Sequence, residues 1–463
     1  MSTEILEYTK VEEIPKIVSE LEASYFSGIT LDLEFRKQQL LALYRLIKEN
    51  TAALVDAMKK DLNKSEFESL MSEIMGVEYE IGYQLANFEK WLVSEKPDLS
   101  YQPGYAGADI RVEKVPQGVI ISVSPWNYPF RLTMLPLVGM IAAGNVVVVK
   151  QSEVSQHTTA LLSRLLGQYV DNRILKIVNG GPKETGVLLE QKADHICYTG
   201  SGAVGKIMVT AAAKHLAKVT LELGGKSPVI VYGLEKQDLD IAARRIIWGK
   251  LINCGQTCLG VDYILVEKNL REYLVKQLVA AVKEFYTENP KASPDYGRII
   301  AQRHYDRIFN LVSGSKGDVV LGNIKDWDRE TLYIPPTIVD KVEFGDSLLS
   351  EEIFGPILPV VSIDSISQAL TYVNQNDHPL AIYCFTNDSE VKSAVSKFTR
   401  SGSLVFNDTM MHSGCHSVPF GGVGPSGTGA YMGKASIDNF SHHKTVMVSK
   451  LHSLDQKLDK LYH

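Results

Sequence analysis

Ile196-Cys197-Tyr198-Thr199-Gly200-Ser201-Gly202-Ala203-Val204-Gly205-Lys206 is the stretch on which the fold turns. An apolar run read as a buried strand passes, through Gly200, Gly202 and Gly205, into a helical pattern that continues from Val204 to Leu216. Glycines at such a junction let the backbone approach a pyrophosphate at the positive end of a helix. The string is not the usual dinucleotide fingerprint, because the acidic residue at the end of the next strand is not in its customary place. Alone, it reads as a tight strand-to-helix turn.

The surroundings strengthen the nucleotide reading. Apolar runs at Val119–Val123, Val146–Val149, Ile174–Val178 and Val219–Leu223 alternate with helical patterns at Leu132–Ala143, Thr158–Leu166 and Lys183–Leu189. Continuous Val/Ile runs mark strands buried on both faces, and their alternation with helices implies a doubly wound parallel sheet. Upstream, one predicted helix spans Thr30–Leu62 with Leu40, Leu43, Tyr44, Ile47, Leu54 and Met58 toward the core. A second carries Leu70, Ile74, Val77, Ile81, Leu85, Phe88 and Leu92 at helical spacing. Pro97–Gly118, with Gly107 and alternating Ile110, Val112 and Val115, reads as a β-ribbon leaving the body.

Beyond Gly224 and Gly225 a second α/β alternation begins. It has strands at Val229–Tyr232 and Tyr263–Val266, and helices at Leu270–Tyr286, Ser365–Asn374 and Glu390–Phe398. Between those strands a helix from Lys236 shows Leu239, Ile241, Ala242, Ile246 and Ile247 as its buried face and breaks at Gly255. A Gly/Ser-rich loop returns the chain over Asn407–Gly429, and Lys444–Lys450 alternates like an edge strand suited to pair with the ribbon.

At 463 residues, 45% hydrophobic and 22% charged, the chain is an ordinary globular protein of two or three domains. A net charge of -6 without a dense Lys/Arg block excludes nucleic acid as the expected partner. The five cysteines are scattered and odd in number, which points to a reducing, cytoplasmic compartment rather than a disulfide framework. Cys254 and Cys258 have no second Cys/His pair at ligand spacing, and His412, Cys415 and His416 read as loop polarity, so no metal is expected. The acidic start has no signal-peptide core, and the longest apolar run, Leu132–Gly144, is too short to cross a bilayer.

Several residues carry possible chemistry, each with a plainer alternative. Cys258, in Asn253-Cys254-Gly255-Gln256-Thr257-Cys258, falls on a loop just past a helix, where a thiol can reach a cleft; a small buried hydrophobe is the alternative. Lys150 and Glu153, at the end of a strand, can hold ribose hydroxyls or cap the next helix. Glu222 ends a buried strand, where desolvation raises a carboxyl toward general-base range, and Glu352 stands beside an aromatic; structural ion pairing is the alternative for both. In Trp126-Asn127-Tyr128, Asn127 is either a neutral oxyanion donor or a buried turn residue.

Taken together these stretches resemble the aldehyde dehydrogenase superfamily over nearly the whole chain. The strings are Pro-Trp-Asn-Tyr-Pro at 125–129, Lys-x-Ser-Glu at 150–153, Gly-x-x-x-x-Gly at 200–205, Leu-Glu-Leu-Gly-Gly-Lys-Ser-Pro at 221–228, Asn-Cys-Gly-Gln-Thr-Cys at 253–258, Glu-Ile-Phe-Gly-Pro at 352–356 and Phe-Gly-Gly-Val-Gly-x-Ser-Gly at 420–427. The short N-terminus and Asn-Phe-Ser-His at 439–442 are most similar to the class 3, or fatty aldehyde dehydrogenase, branch. The resemblance implies Cys258 as nucleophile, Glu222 as general base, and Asn127 with the Cys258 backbone N–H as oxyanion donors. It places Lys150 and Glu153 at the adenosine ribose, Gly200, Ser201 and Gly205 at the diphosphate, and Glu352 and Phe354 at the nicotinamide ribose, with Trp126 and Leu223 also against the coenzyme. NAD is the implied cofactor, with NADP accepted.

The implied function is oxidation of medium- or long-chain aliphatic or aromatic aldehydes to acids through a thiohemiacetal and a thioester. The implied fold has a Rossmann-type coenzyme domain at 1–97 and 119–226, an α/β catalytic domain at 227–418, and an oligomerisation arm at 98–118 and 430–450 that makes a homodimer. A C-terminal helix at 451–463 packs on a surface or partner, or touches a membrane peripherally. Trp248, Met410, Met411 and that helix are expected at the substrate entrance. Two departures stand out: Gln151 replaces a common proline, and the branch's frequent hydrophobic tail is not seen. The rival readings are a coenzyme-A-acylating enzyme, disfavoured by Glu222, and a silent binding protein, disfavoured by intact Cys258, Glu222 and Asn127. A thiol hydrolase is disfavoured because no histidine is near either motif.

Overall fold

The computed structural model describes residues 5–105 and 108–449. The first four residues, Gly107 and Lys450 of the expected ribbon, and the expected C-terminal helix at 451–463 lie outside them. In chain order the strands are β1 (Asp109–Pro116), β2 (Val119–Val123), β3 (Val146–Lys150), β4 (Leu175–Ile177), β5 (His195–Thr199), β6 (Lys218–Glu222), β7 (Pro228–Val231) and β8 (Tyr263–Glu267). They continue as β9 (Asp318–Leu321), β10 (Thr337–Asp340), β11 (Ile357–Ile363), β12 (Ala381–Phe385), β13 (Ser403–Phe406), β14 (Gly427–Thr428) and β15 (Ser441–Val448).

The first sheet is ordered β14-β6-β5-β2-β3-β4 and is parallel except for β14. Residues of β2, β3 and β5 are buried throughout, which is why they read as short, largely apolar runs rather than alternating ones. The chain leaves β2 toward β3 on one side and returns at β5 on the other. A crevice therefore opens beyond the carboxyl ends of β2 and β5, where α/β proteins of this winding bind ligands.

The second sheet, β13-β12-β7-β8-β11-β10-β9, is parallel except for β9. Along β7, Val229 and Val231 join one apolar cluster and Ile230 another, so this sheet has a core on each face. In the third, β1 and β15 pair antiparallel from Asp109 opposite Val448 to Pro116 opposite Ser441. The ribbon is thus closed by the late strand rather than by a local hairpin.

Two side chains expected in helical stripes face outward instead. Tyr44 in helix Leu33–Leu62 and Ile241 in helix Lys236–Leu251 are 37% and 50% exposed. Tyr44 flanks its stripe, whereas Ile241 sits about 200° around the helix from Leu239, on the face opposite the one where Ala242, Ala243 and Ile246 take the core. The second of these helices also ends earlier than expected, at Leu251, because Asn253 and Cys254 both adopt left-handed backbone with φ 53°.

A π-helical turn, Leu70–Ile74, joins helices Glu66–Ser69 and Met75–Trp91. Three- and four-residue apolar steps continue straight across it, so spacing gave no sign of it. None of the described helices is long and apolar enough to cross a membrane.

Candidate active site

The Cys258 loop is pinned by its backbone and by buried polar groups. Asn253 donates its backbone N–H to Glu68 Oε1 at 2.7 Å and its side-chain amide to the Asn127 carbonyl at 2.7 Å. Gln256 donates to the Arg298 carbonyl at 2.9 Å and accepts from the Ile300 N–H at 3.0 Å. Gly255, at φ 74°, lies against the Gly355 carbonyl, where any Cβ would collide. These ties hold Cys258, half-buried, at the meeting point of two cavities.

One cavity, of about 280 Å³, is the crevice beyond β2 and β5. It brings together Trp126, Asn127, Gly200, Ser201, Glu222, Leu223, Cys258, Glu352 and Phe354. The other, of about 200 Å³, is a mostly apolar chamber whose walls include Met71, Leu135, Trp248, Met410 and Tyr431. Trp248, Met410 and Met411, expected at a substrate entrance, all line this chamber, and among the described residues Cys258 alone lines both spaces.

Lys150, Glu153 and Gly205 lie outside the crevice proper. Lys150 ends β3 and its ammonium meets Glu153 Oε2 at 2.9 Å. Gly205 sits in the first turn of helix Gly202–His215, where an added Cβ would come within 2.9 Å of Leu223. Ser201 caps that helix by accepting the Val204 N–H at 3.5 Å.

Burial dominates the electrostatics. The Cys258 thiol is pushed up to about 12, by desolvation first and by Glu352 and Glu222 after it, against the pull of the Leu259 and Cys258 backbone N–H groups. Glu222 is driven well above the usual carboxylate range by desolvation, and neither of its oxygens has a hydrogen-bond partner. Glu352 rises to about 8, from burial and the charge of Asp262. Asn127 spends one amide N–H on the Gln256 carbonyl at 3.1 Å, which leaves the second for the crevice. Phe354 is held at φ 50°, with its ring edge-on to Trp126 at 5.4 Å. Left-handed backbone at a bulky residue is strain of the kind that collects at functional sites.

One expectation needs correction. β6 does end in an acid, Glu222, but its carboxyl lines the crevice together with Cys258, so the strand lacks only a free ribose ligand. No histidine is near either motif in sequence, but tertiary folding brings one in: His304 lines the crevice with its ring 4.8 Å from Trp126. Burial, with Arg303 and Arg307 nearby, pulls that imidazole down to about 4. His304 lies in helix Gln302–Gly314, far from either motif in sequence, and no local signal marks it.

Spacing also missed the scaffold beneath the site. Lys64 and Glu73 form a fully buried ion pair. Lys64 donates to the Asn127 carbonyl at 3.1 Å and lies 4.0 Å over the Tyr128 ring. Glu73 accepts the N–H groups of Phe130 at 3.1 Å and Arg131 at 2.9 Å. Arg307 supports the other wall through the Glu352 and Ile353 carbonyls at 3.0 and 2.6 Å. Elsewhere, His416 pairs with Glu80 at 2.6 Å, and His412 bonds Ser403 at 2.8 Å.

The donor set suits a dinucleotide. A helix start with a glycine that close packing requires, an ion pair at the end of β3, and an orphaned carboxyl facing the thiol match its diphosphate, ribose and reactive ends. A switch-point crevice that opens on a thiol, with an apolar chamber beyond, defines an oxidoreductase of the pyridine-nucleotide class.

Comparison with known proteins narrows the class. The sequence profile described as "Aldehyde dehydrogenase family" matches residues 6–446. Over 442 residues, the chain is 44% identical to mouse "Aldehyde dehydrogenase, dimeric NADP-preferring", covering 95% of this chain and 96% of that one. It is 45% identical to rat "Aldehyde dehydrogenase family 3 member A2", covering 94% of this chain and 88% of that one. Among solved structures, the substrate-bound Staphylococcus aureus AldH matches with a TM-score of 0.91 at 34% identity, covering 98% and 99% of the two chains. The chain belongs to the aldehyde dehydrogenase family, whose NAD(P)-dependent enzymes oxidise aldehydes to carboxylic acids.

Proposed function

We propose that the reaction is divided between the two cavities, coenzyme in the crevice and aldehyde in the chamber, with Cys258 as the nucleophile between them. The observation that carries this reading is that, among the described residues, Cys258 is the one lining both. Its Sγ adds to the aldehyde carbonyl, and the free N–H of Asn127 with the backbone N–H of Cys258 holds the oxyanion. NAD(P), when bound, supplies the nicotinamide that accepts the hydride. The acyl group then remains on Sγ as a thioester. Glu222, unpartnered and facing the same space, takes a proton from water as that water attacks the thioester carbon. A buried base beside the thiol favours hydrolysis over transfer to coenzyme A.

Lys150 and Glu153 would hold the adenosine ribose, Gly200, Ser201 and Gly205 the diphosphate, and Glu352 and Phe354 the nicotinamide ribose, with Trp126 and Leu223 as walls. Residues 1–97 and 119–226 form the coenzyme domain in this reading, and 227–418 the catalytic domain. Glu153 repels a 2′-phosphate, so NAD is preferred and NADP tolerated. The chamber suits aliphatic or aromatic aldehydes, being somewhat larger than the roughly 150 Å³ that accommodates benzene in an engineered protein cavity. The enzyme works in the cytoplasm as a homodimer joined through the β1/β15 ribbon, where Met447 and Val448 are exposed.

The test is NADH formation, followed by absorbance, for wild type and Cys258→Ala with hexadecanal, octanal or benzaldehyde and either coenzyme. Turnover that vanishes in the variant supports the reading. Turnover only when coenzyme A is added would indicate the acylating reaction, and none under either condition a binding protein.

A further inference from the structure

The chamber is mostly apolar, and although Tyr128 and Thr257 in its wall satisfy each other at 2.8 Å, two of its donors are left short of acceptors. Arg131 opens helix Arg131–Ala142 and lines the chamber. Its guanidinium donates to two backbone carbonyls, Ser72 at 3.2 Å and Ser413 at 2.6 Å. Five N–H donors are available on that group, so both carbonyls together leave donors over. Among the described residues no carboxylate pairs with it: Glu73 acts on its charge but is itself paired with Lys64. Burial accordingly pulls the guanidinium pKa below its ordinary value.

Tyr431 lines the same chamber and is 1% exposed, and its hydroxyl has no hydrogen-bond partner. Burial keeps that phenol protonated, hence a donor, and both Cys258 and Arg131 are close enough to act on its charge. A half-buried cation without a counter-ion and a buried hydroxyl without an acceptor are each costly. One ligand group relieves both: an anion with two acceptor oxygens.

We propose that the chamber selects aldehydes that also carry a carboxylate, the ω-oxo carboxylic acids and formylbenzoates, with Arg131 as the carboxylate anchor and Tyr431 as a second donor. The inference rests on the reading of Cys258 as nucleophile and of the chamber as the aldehyde side. Arg131 acting only as a tether between the Ser72 and Ser413 backbones would leave substrate charge without effect.

The experiment compares kcat/KM for a homologous series of ω-oxo carboxylic acids, each paired with the n-alkanal of equal length, and for para-formylbenzoate paired with para-methylbenzaldehyde. At the best length wild type should favour the acid by roughly ten- to a hundredfold, the size of a charge-assisted hydrogen bond. That ratio should collapse in Arg131→Met, fall less in Arg131→Lys, and drop severalfold in Tyr431→Phe. If Arg131→Met does not fold, Arg131→Lys and Tyr431→Phe decide. A wild-type ratio at or below one at every length overturns the proposal, as does a ratio that none of the variants moves. Turnover of neutral aldehydes alone removes this inference and leaves the parent reading intact, whereas no turnover of any aldehyde removes both.

Discussion

The crevice and the chamber meet at one sulfur, yet they are built in opposite ways. Crevice residues come mostly as short strings at the carboxyl ends of strands: Trp126 and Asn127 after β2, Gly200 and Ser201 after β5, Glu222 and Leu223 at the end of β6. The chamber is gathered from segments far apart in the chain: Met71 in the π-helical turn, Arg131 and Leu135 in one helix, Trp248 in another, Met410 from the returning loop and Tyr431 just beyond it. Binding a shared coenzyme ties residues to backbone geometry at a switch point. Shaping a substrate space needs only side-chain surface, which any packed element can supply.

If Cys258 serves both spaces, its removal should silence both. Cys258→Ala is expected to lower NADH formation by at least about 10⁴-fold, as loss of a catalytic nucleophile does elsewhere. Coenzyme binding, followed by fluorescence quenching, should survive. Residual turnover within tenfold of wild type would mean the chemistry does not pass through the junction.

The buried Lys64–Glu73 pair is the second place to press, because it supports both walls. Lys64 holds the Asn127 carbonyl on the crevice side, while Glu73 belongs to the π turn that brings Met71 and Ser72 to the chamber. Glu73→Gln leaves the ammonium buried without its partner and should cost about 3–5 kcal/mol in urea unfolding. Lys64→Met with Glu73→Leu should recover much of that loss. Equal destabilisation in the double variant would show that packing, not charge, matters here.

These contrasts also explain what sequence alone could reveal. The first parallel sheet was legible, because β2 and β3 are rich in Val and Ile, β5 carries Ile196-Cys197-Tyr198, and all three are buried throughout; the second showed through Val229–Tyr232 and Tyr263–Val266 with helices between and after them. So was the pairing of β1 with β15, through their alternation. Candidate site residues were visible where chemistry and backbone constraint coincide, as at Gly200 and Glu222. Hidden were groups whose placement depends on tertiary contact: His304, Arg307, the Lys64–Glu73 pair and the Tyr431 hydroxyl. The π turn was hidden too, since its apolar spacing matches a continuous helix. Tyr44 was misplaced because a flanking residue and a core residue differ by only a fraction of a helical turn, and Ile241 because an apolar side chain was counted although its angle puts it opposite Leu239.

Acidity bears on the point where the two cavities meet. In the proposed reaction Cys258, at about 12, and Glu222, also raised, must each lose a proton to act, and burial favours the protonated form of both. The sign follows: activity falls on acidification and rises with pH. Alkylation of the free enzyme by iodoacetamide should rise roughly tenfold per pH unit through the neutral range, tracking the thiolate fraction. A plateau near neutrality would show that the chamber and crevice already stabilise a thiolate.

The smallest effect lies outside the crevice proper, at the end of β3. Glu153→Gln removes a negative charge beside the expected adenosine ribose and frees Lys150, whose ammonium is 2.9 Å from that carboxylate in the native protein. A 2′-phosphate would then meet a cation rather than an ion pair. The NADP-to-NAD ratio of kcat/KM should rise by roughly fivefold, the scale of a partly exposed ion pair, and the gain should shrink as salt is added. The aldehyde KM should not move, because Glu153 touches neither the chamber nor Cys258. A change in aldehyde KM with no change in coenzyme ratio would mean that the two regions are coupled through the first sheet, and the division of labour between them would have to be redrawn.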